Sequence, residues 1–323
     1  MTELFVTTGN GVAHLAQRDG EWNMRLSMQD RRAQCLALDP QSRRTLYVGT
    51  AGHGLWKSED GGQHWQDLNL PQRDVFSVAV SAAGGSVYAG CEPSTLYRSD
   101  DGGRHWRELE ALRRIPSAPT WSFPPRPWTS HVRWIAPNPH DADVLIVGIE
   151  LGGLMYSGDG GATWLDHRPG AQRDVHALAW HPTVKGRGYE AGGGGAAWSR
   201  DGGITWQPAD SGLDRRYTWA VAVDPADAER WFISASTGPM QAHRDHHAQA
   251  RIFRWRDGAW QKAMNGLIDP LDSMPYALAI VERTLYAGLR DGRIYASDDA
   301  GDHWRELTLR GDSVHSITAM AGL

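Results

Sequence analysis

The chain has 323 residues, a formal net charge of −5, 22% charged and 41% hydrophobic residues, 37 glycines and 16 tryptophans. The acidic balance argues against a nucleic-acid partner, which favours a basic face, and no apolar run approaches the roughly 18 residues of a membrane span. Two cysteines, Cys35 and Cys91, make no disulfide framework, and residues 1–14 carry neither a basic start nor an apolar stretch, so the expectation is a cytoplasmic protein without a signal peptide.

In chain order, the first expected element is a strand at 4–7, followed by the short turn Arg18-Asp19-Gly20-Glu21-Trp22. An apolar run at 34–38 and a pair of short strands at 46–49 and 54–57 lead into Ser58-Glu59-Asp60-Gly61-Gly62 and Trp65. That motif, Ser-x-Asp-[Gly/Ala]-Gly-x-x-Trp, returns at 99–106, 157–164, 199–206 and 297–304, with a second shortened version at 256–260. The closing tryptophans are Trp22, Trp65, Trp106, Trp164, Trp206, Trp260 and Trp304, one per roughly 40 to 58 residues. Four short strands per unit at this period predict an all-β, seven-bladed β-propeller of four-stranded antiparallel blades, with 1–323 as a single domain. The segment 313–318 has the alternation of an innermost strand with no blade after it, while the N-terminus starts on a second strand. The two ends are therefore expected to share one blade, which removes two free sheet edges.

The motif itself reads as structural. Ser and Asp side chains satisfy nearby backbone groups, glycines supply backbone angles closed to other residues, and the Trp packs over the turn. A calcium loop would need a later bidentate Glu, which the spacing lacks.

Function is expected at the mouth of the central channel. The first positions of the innermost strands align as Gln34, Phe76, Arg133, His176, Trp219, Tyr276 and His315, preceded two residues earlier by Arg32, Asp74, His131, Asp174, Tyr217, Met274 and Ser313. On the same face fall the loops with Glu92 and Glu150, the glycine run 192–195, and two insertions: 112–130, with Trp121, Phe123 and Trp128, and 237–249, with His243, His246 and His247. Long loops on a rigid scaffold carry function. The candidate constellation in blades 3 to 6 is Glu92, His131, Arg133, Glu150, Asp174, His176, Tyr217, Trp219 and His243. A polar plug that merely closes the channel is the bland alternative.

Full and shortened Asp boxes on a seven-fold repeat resemble the BNR/Asp-box propellers, a group that includes xyloglucanase-type glycoside hydrolases, sialidases, sortilin-type receptors and photosystem II assembly factors. Glu92-Pro93-Ser94, the segment 123–127, His131-Val132-Arg133 and the segment 238–243 make the chain similar, more narrowly, to cytosolic proteins called glycosyl hydrolases or BNR-repeat proteins. The resemblance implies the fold and no particular activity. Sialidases are six-bladed, with three binding arginines and an Arg-Ile-Pro segment, and xyloglucanases place their cleft between two propellers, so a lone seven-bladed ring departs from both.

Three functions follow as expectations. The first is binding of a small polar molecule, a saccharide or an anionic metabolite, with hydrolase-like chemistry as its enzymatic form. Glu150 would then be acid or base, His176 its proton partner, Arg133 an anion clamp, and Glu92 a second carboxylate 5–10 Å away. His131, Asp174, Tyr217, Trp219 and His243 would bind the substrate. No cofactor is expected on this reading. The second is a divalent metal held by His131, His176 and His243 with Glu150 or Asp174. The third is a non-enzymatic scaffold for a protein partner, using the aromatic insertion.

Overall fold

In the computed structural model, which describes residues 2–123 and 129–323, nearly every element is a short strand. Blade 2 shows the pattern: Ala33–Asp39, Ser42–Thr50, Gly54–Ser58 and Gln66–Asp67 pair in sequence order, all antiparallel. Blades 3, 5, 6 and 7 repeat it, and in blade 4 the fourth strand shrinks to a bridge between Tyr156 and Leu165. Blade 1 is built from both ends, as the sequence predicts: Glu3–Thr7 pairs on one side with Val12–Arg18 and on the other with Ala319–Gly322. The C-terminal strand is nevertheless not the segment 313–318. That stretch alternates like a strand, but it runs as a loop tied to the N-terminus by Thr318 N–H to the Thr7 carbonyl (2.9 Å) and by a Thr7–Thr318 hydroxyl contact (2.7 Å). Ile317 is drawn into the core between blades 7 and 1, so ring closure falls to Ala319–Gly322.

The Asp boxes join third to fourth strands and account for their own polar groups. In blade 5, the Ser199 hydroxyl donates to Asp201 Oδ1 (2.8 Å) and accepts the Gly203 N–H (3.0 Å), Asp201 Oδ1 also accepts the Thr205 N–H (3.0 Å), and Trp206 Nε1 donates to the Gly203 carbonyl (3.1 Å). Gly203 sits at φ +88°, where a side chain is strained, and an added Cβ would lie 2.9 Å from Trp180. The carboxylates are spent inside the turns. The shortened versions are two-residue hairpins, Asp19-Gly20 and Asp257-Gly258, with positive φ at both positions, the type I′ geometry that matches strand twist.

Apolar side chains meet between neighbouring blades, in clusters such as Leu178, Trp180 and Ala197 with Ile146, or Tyr189 and Phe253 with Trp231. Among the described residues no helix is long and apolar enough to cross a membrane.

Candidate functional site

Each innermost strand from blade 2 to blade 7 carries a β-bulge near its start. The register irregularities fall at Gln34, Phe76, Arg133, His176, Trp219 and Tyr276. A bulge re-aims the side chain of the extra residue, and here all six side chains line one cavity of about 170 Å³ at the head of the channel. Thr318 fills the seventh place in that lining, which corrects the expectation for His315. His315 lies outside this lining, in the loop, within hydrogen-bonding distance of the Ser313 hydroxyl (3.0 Å). Below the polar rim the lining turns apolar with Leu36, Val78, Leu278 and Met320, and Trp134 faces the same space. A larger, shallower cavity of about 840 Å³ lies elsewhere, beside Arg18, Arg25, Arg43 and Arg44. Its arginines are exposed, whereas the channel mouth holds the buried polar groups, so the mouth is the better candidate.

The predicted constellation comes together in space through continuous contacts. The His131 ring lies between two carboxylates, with Nδ1 3.1 Å from Glu92 Oε2 and Nε2 2.6 Å from Glu150 Oε2. Both contacts are satisfied when both ring nitrogens carry hydrogen, and Phe76 stacks on the ring at 4.0 Å. Arg133 Nε is 3.7 Å from Glu150 Oε2, and its guanidinium lies over Trp219 at 4.6 Å. Trp219 in turn contacts His176 (4.5 Å), His243 (4.8 Å) and Tyr276 (5.1 Å, stacked). His176 Nδ1 faces the Thr218 carbonyl at 2.6 Å, and its Nε2 is 3.4 Å from Asp174 Oδ2. Finally, Tyr217 and Tyr276 hold His243 from either side, at 2.7 Å to Nε2 and 2.6 Å to Nδ1.

Electrostatics divides these groups. Burial alone would raise the Glu150 pKa, but the His131 hydrogen bond and the Arg133 charge overcome it and hold Glu150 ionised, at about 2. His243 keeps an edge open to solvent, yet its partial burial, reinforced by the Arg133 charge, pushes its pKa down and favours the neutral ring. Tyr276 is pushed up to about 12 by burial and stays a phenol.

Several expectations change with this geometry. The His131 ring fills the gap between Glu92 and Glu150, so no glycosidic bond fits between those two carboxylates. A Glu150 held down at about 2 is also a poor general acid and a poor base near neutral pH. Of the three histidines expected to hold a metal, His131 and His243 have both ring nitrogens engaged, and only His176 joins carboxylates in a metal-type group, with Glu150 and Asp174. The glycine run serves a neighbour more than a ligand, because a Cβ on Gly193 would lie 2.0 Å from Asp174 Oδ2 and one on Gly194 would lie 2.4 Å from Gln172 Oε1. Trp121 is buried against Leu112, Ile115 and Ile149, so it covers a core edge instead of offering a docking surface. Trp128 and most of 123–127 lie outside the described residues.

The chain does contain an Arg-Ile-Pro sequence, Arg114-Ile115-Pro116, but Arg114 is exposed and paired with Glu110, which gives no sialidase-type arginine cluster. Cys91 is fully buried with its thiol pushed up by desolvation, the condition of an inert packing thiol. Tyr276, Phe76 and the Thr218 carbonyl belong to the site although the candidate constellation omits them. The first two stand in the innermost-strand alignment, while a backbone carbonyl leaves no sequence signal.

The fold and this mouth define a seven-bladed propeller with Asp-box turns. A family model described as BNR/Asp-box repeat matches residues 197–208, the end of the third strand, the turn and the fourth strand of blade 5. The structure is similar to a GH74 xyloglucanase from Xanthomonas campestris (18% identity, TM-score 0.65, 85% of this chain and 45% of that chain) and to an ancestral GH74 enzyme (17%, 0.66, 94% and 40%). It is also similar to YCF48 bound to a D1 peptide (17%, 0.59, 94% and 85%). The chain spans less than half the length of either GH74 enzyme, and likeness at this identity speaks for the fold alone. No curated protein matches the sequence.

Proposed function

We propose that the channel mouth binds a small polar molecule carrying an anionic group, such as a sugar acid, with Arg133 as the anion clamp and Trp219 and Tyr276 as the stacking platform. One observation carries this reading. Arg133 Nε and His176 Nε2 are buried polar atoms with no hydrogen-bonding partner in the protein, and both side chains line the same cavity; Asp174, whose buried Oδ1 also lacks such a partner, stands beside His176 with Oδ2 3.4 Å from its Nε2. Leaving such atoms unpaired costs about 1–3 kcal/mol each, a cost that a ligand with complementary groups would offset. An apolar well under a few convergent polar groups is the usual form of a small-molecule site. Binding is the whole of the proposal. Glycoside hydrolysis in its usual form needs two carboxyl groups flanking the scissile bond, and Glu92 and Glu150 are bridged by His131.

The test is a thermal-shift and calorimetric screen of uronic acids, sialic acid and small dicarboxylates against neutral sugars of the same size. Acidic compounds should raise Tm, and Arg133→Gln should lower their affinity about tenfold or more while leaving the melting temperature of the unliganded protein within a few degrees. Equal shifts from neutral sugars, or an Arg133→Gln variant that binds acids as well as the wild type, would remove the clamp. A protein segment, as in the peptide-bound YCF48, becomes the better reading if every small molecule fails and an acidic peptide binds.

A further inference from the structure

We propose that Glu150, Asp174 and His176 form a site for one divalent transition-metal ion, of the Mn²⁺, Fe²⁺ or Zn²⁺ class, at the head of the channel. The proposal goes beyond the ligand reading and stands without it.

His176 is the starting point. Its Nδ1 faces a carbonyl oxygen, which can only accept, so Nδ1 carries the ring hydrogen. In the neutral ring Nε2 is therefore a bare lone pair, on a side chain with 0% exposure and with no hydrogen-bonding partner in the protein. That lone pair lies 3.4 Å from Asp174 Oδ2, a carboxylate oxygen. Two electron-rich atoms at this spacing repel, and a cation shared between them converts the repulsion into two bonds. A proton on Nε2 is the other means of relief, and ion titration separates the two. If each atom bonds one ion at about 2.1 Å, a 3.4 Å spacing subtends an angle near 110°, which is tetrahedral.

Glu150 supplies the third ligand. The candidate ligand atoms of Glu150, Asp174 and His176 all lie within 4.8 Å of one another, and closing that spread takes a carboxylate movement of roughly 1 Å or slightly more. One imidazole with two carboxylates suits manganese, iron or zinc better than calcium. The supporting contacts are those that orient metal ligands elsewhere: a backbone carbonyl fixes the His176 tautomer, and His131 holds the Glu150 carboxylate. Arg133 opposes the ion from 3.7 Å beyond Glu150, but its guanidinium is drawn toward the Trp219 face, and Glu92, Glu150 and Asp174 place three carboxylates in the same mouth. Gly193 leaves the room Asp174 occupies, since a Cβ there would collide with its Oδ2.

The experiment uses the whole chain, stripped with a chelator and titrated with Mn²⁺ and Zn²⁺ by calorimetry, with Co²⁺ followed by visible absorption. One equivalent should bind. Asp174→Asn and His176→Ala should each weaken it at least tenfold, and His64→Ala, an exposed histidine in an Asp box, should leave it unchanged. If the buried His176→Ala chain fails to fold, the partly exposed Asp174→Asn and the Co²⁺ spectrum carry the test alone. No one-to-one uptake of any of the three ions by folded wild type overturns the proposal. So does uptake that survives Asp174→Asn but is lost in a His246→Ala, His247→Ala double variant. None of these measurements contains an organic ligand, so their failure leaves the Arg133 reading intact.

Discussion

The Thr218 backbone carbonyl accepts the His176 Nδ1 hydrogen at 2.6 Å, while the Thr218 hydroxyl ties the same residue to the neighbouring blade. That hydroxyl accepts the Gly192 N–H at 2.8 Å and reaches the Gly195 carbonyl at 2.8 Å. One buried threonine in blade 6 therefore positions both the His176 ring and the glycine loop beside Asp174 in blade 5. Thr218→Val keeps the volume and strands the Gly192 N–H. It should cost about 1–3 kcal/mol and shift the His176 ring resonances in NMR. Unchanged stability with unchanged His176 signals would show that the hydroxyl positions nothing.

Gly193 tests whether the glycine run is there for Asp174. Its φ is not in the left-handed region, so alanine is tolerated by the backbone, but the new methyl would sit 2.0 Å from Asp174 Oδ2 and 2.8 Å from its carboxyl carbon. Gly193→Ala should leave the melting temperature within a few degrees and reduce ion or ligand affinity at the mouth by about tenfold or more, by displacing that carboxylate. Calorimetric titration checks it. Full-strength binding by the variant would return the glycine run to a generic turn.

The ring was legible because five blades write the same signature, a Ser, an Asp, a Gly at positive φ and a Trp at fixed spacing, and the other two a shortened Asp-Gly turn before a Trp, and these local turns need no knowledge of the rest of the chain. The mouth was partly legible for a related reason, since every bulge sits just inside its strand and the aligned positions Arg133, His176 and Trp219 do meet in one cavity. Contacts between blades were not legible. Nothing in sequence separation places His131 between Glu92 and Glu150, 39 residues before it and 19 after it. The segment 313–318 misled because alternation alone cannot tell a strand from a loop that buries only Ile317.

The Asp boxes predict additive stability losses. In each full box the serine is almost wholly buried and its hydroxyl accepts the N–H of the last glycine: Gly62, Gly103, Gly161, Gly203 and Gly301. Replacing Ser by Ala leaves that N–H and one carboxylate oxygen short of a partner, for about 1–3 kcal/mol per box. Boxes in separate blades share no partners, so Ser58→Ala and Ser199→Ala should add in denaturant unfolding, to within about 0.5 kcal/mol. Losses well below 1 kcal/mol, with binding at the mouth abolished, would give the boxes a functional role that the geometry denies.

Glu190 gives the chain a pH-dependent stability. It lies in the second strand of blade 5, wholly buried, paired in register with Leu178 and Ala197, with the Gln172 N–H donated to Oε2 at 3.0 Å and no partner for Oε1. Burial, only partly opposed by that hydrogen bond, raises its pKa from 4.5 to about 8. The sign follows from proton counting: between these values the folded chain holds one proton more than the unfolded chain, so stability is complete below pH 4.5 and falls as pH rises toward 8. At about 1.4 kcal/mol per pH unit, the loss by pH 7 is on the order of 3 kcal/mol. Glu190→Gln keeps the acceptor and removes the titration. Denaturant unfolding at pH 5 and pH 8 should show the wild type losing more stability than the variant across that interval. Parallel losses in the two proteins would mean that Glu190 is ionised in the fold and that a positive partner has been overlooked.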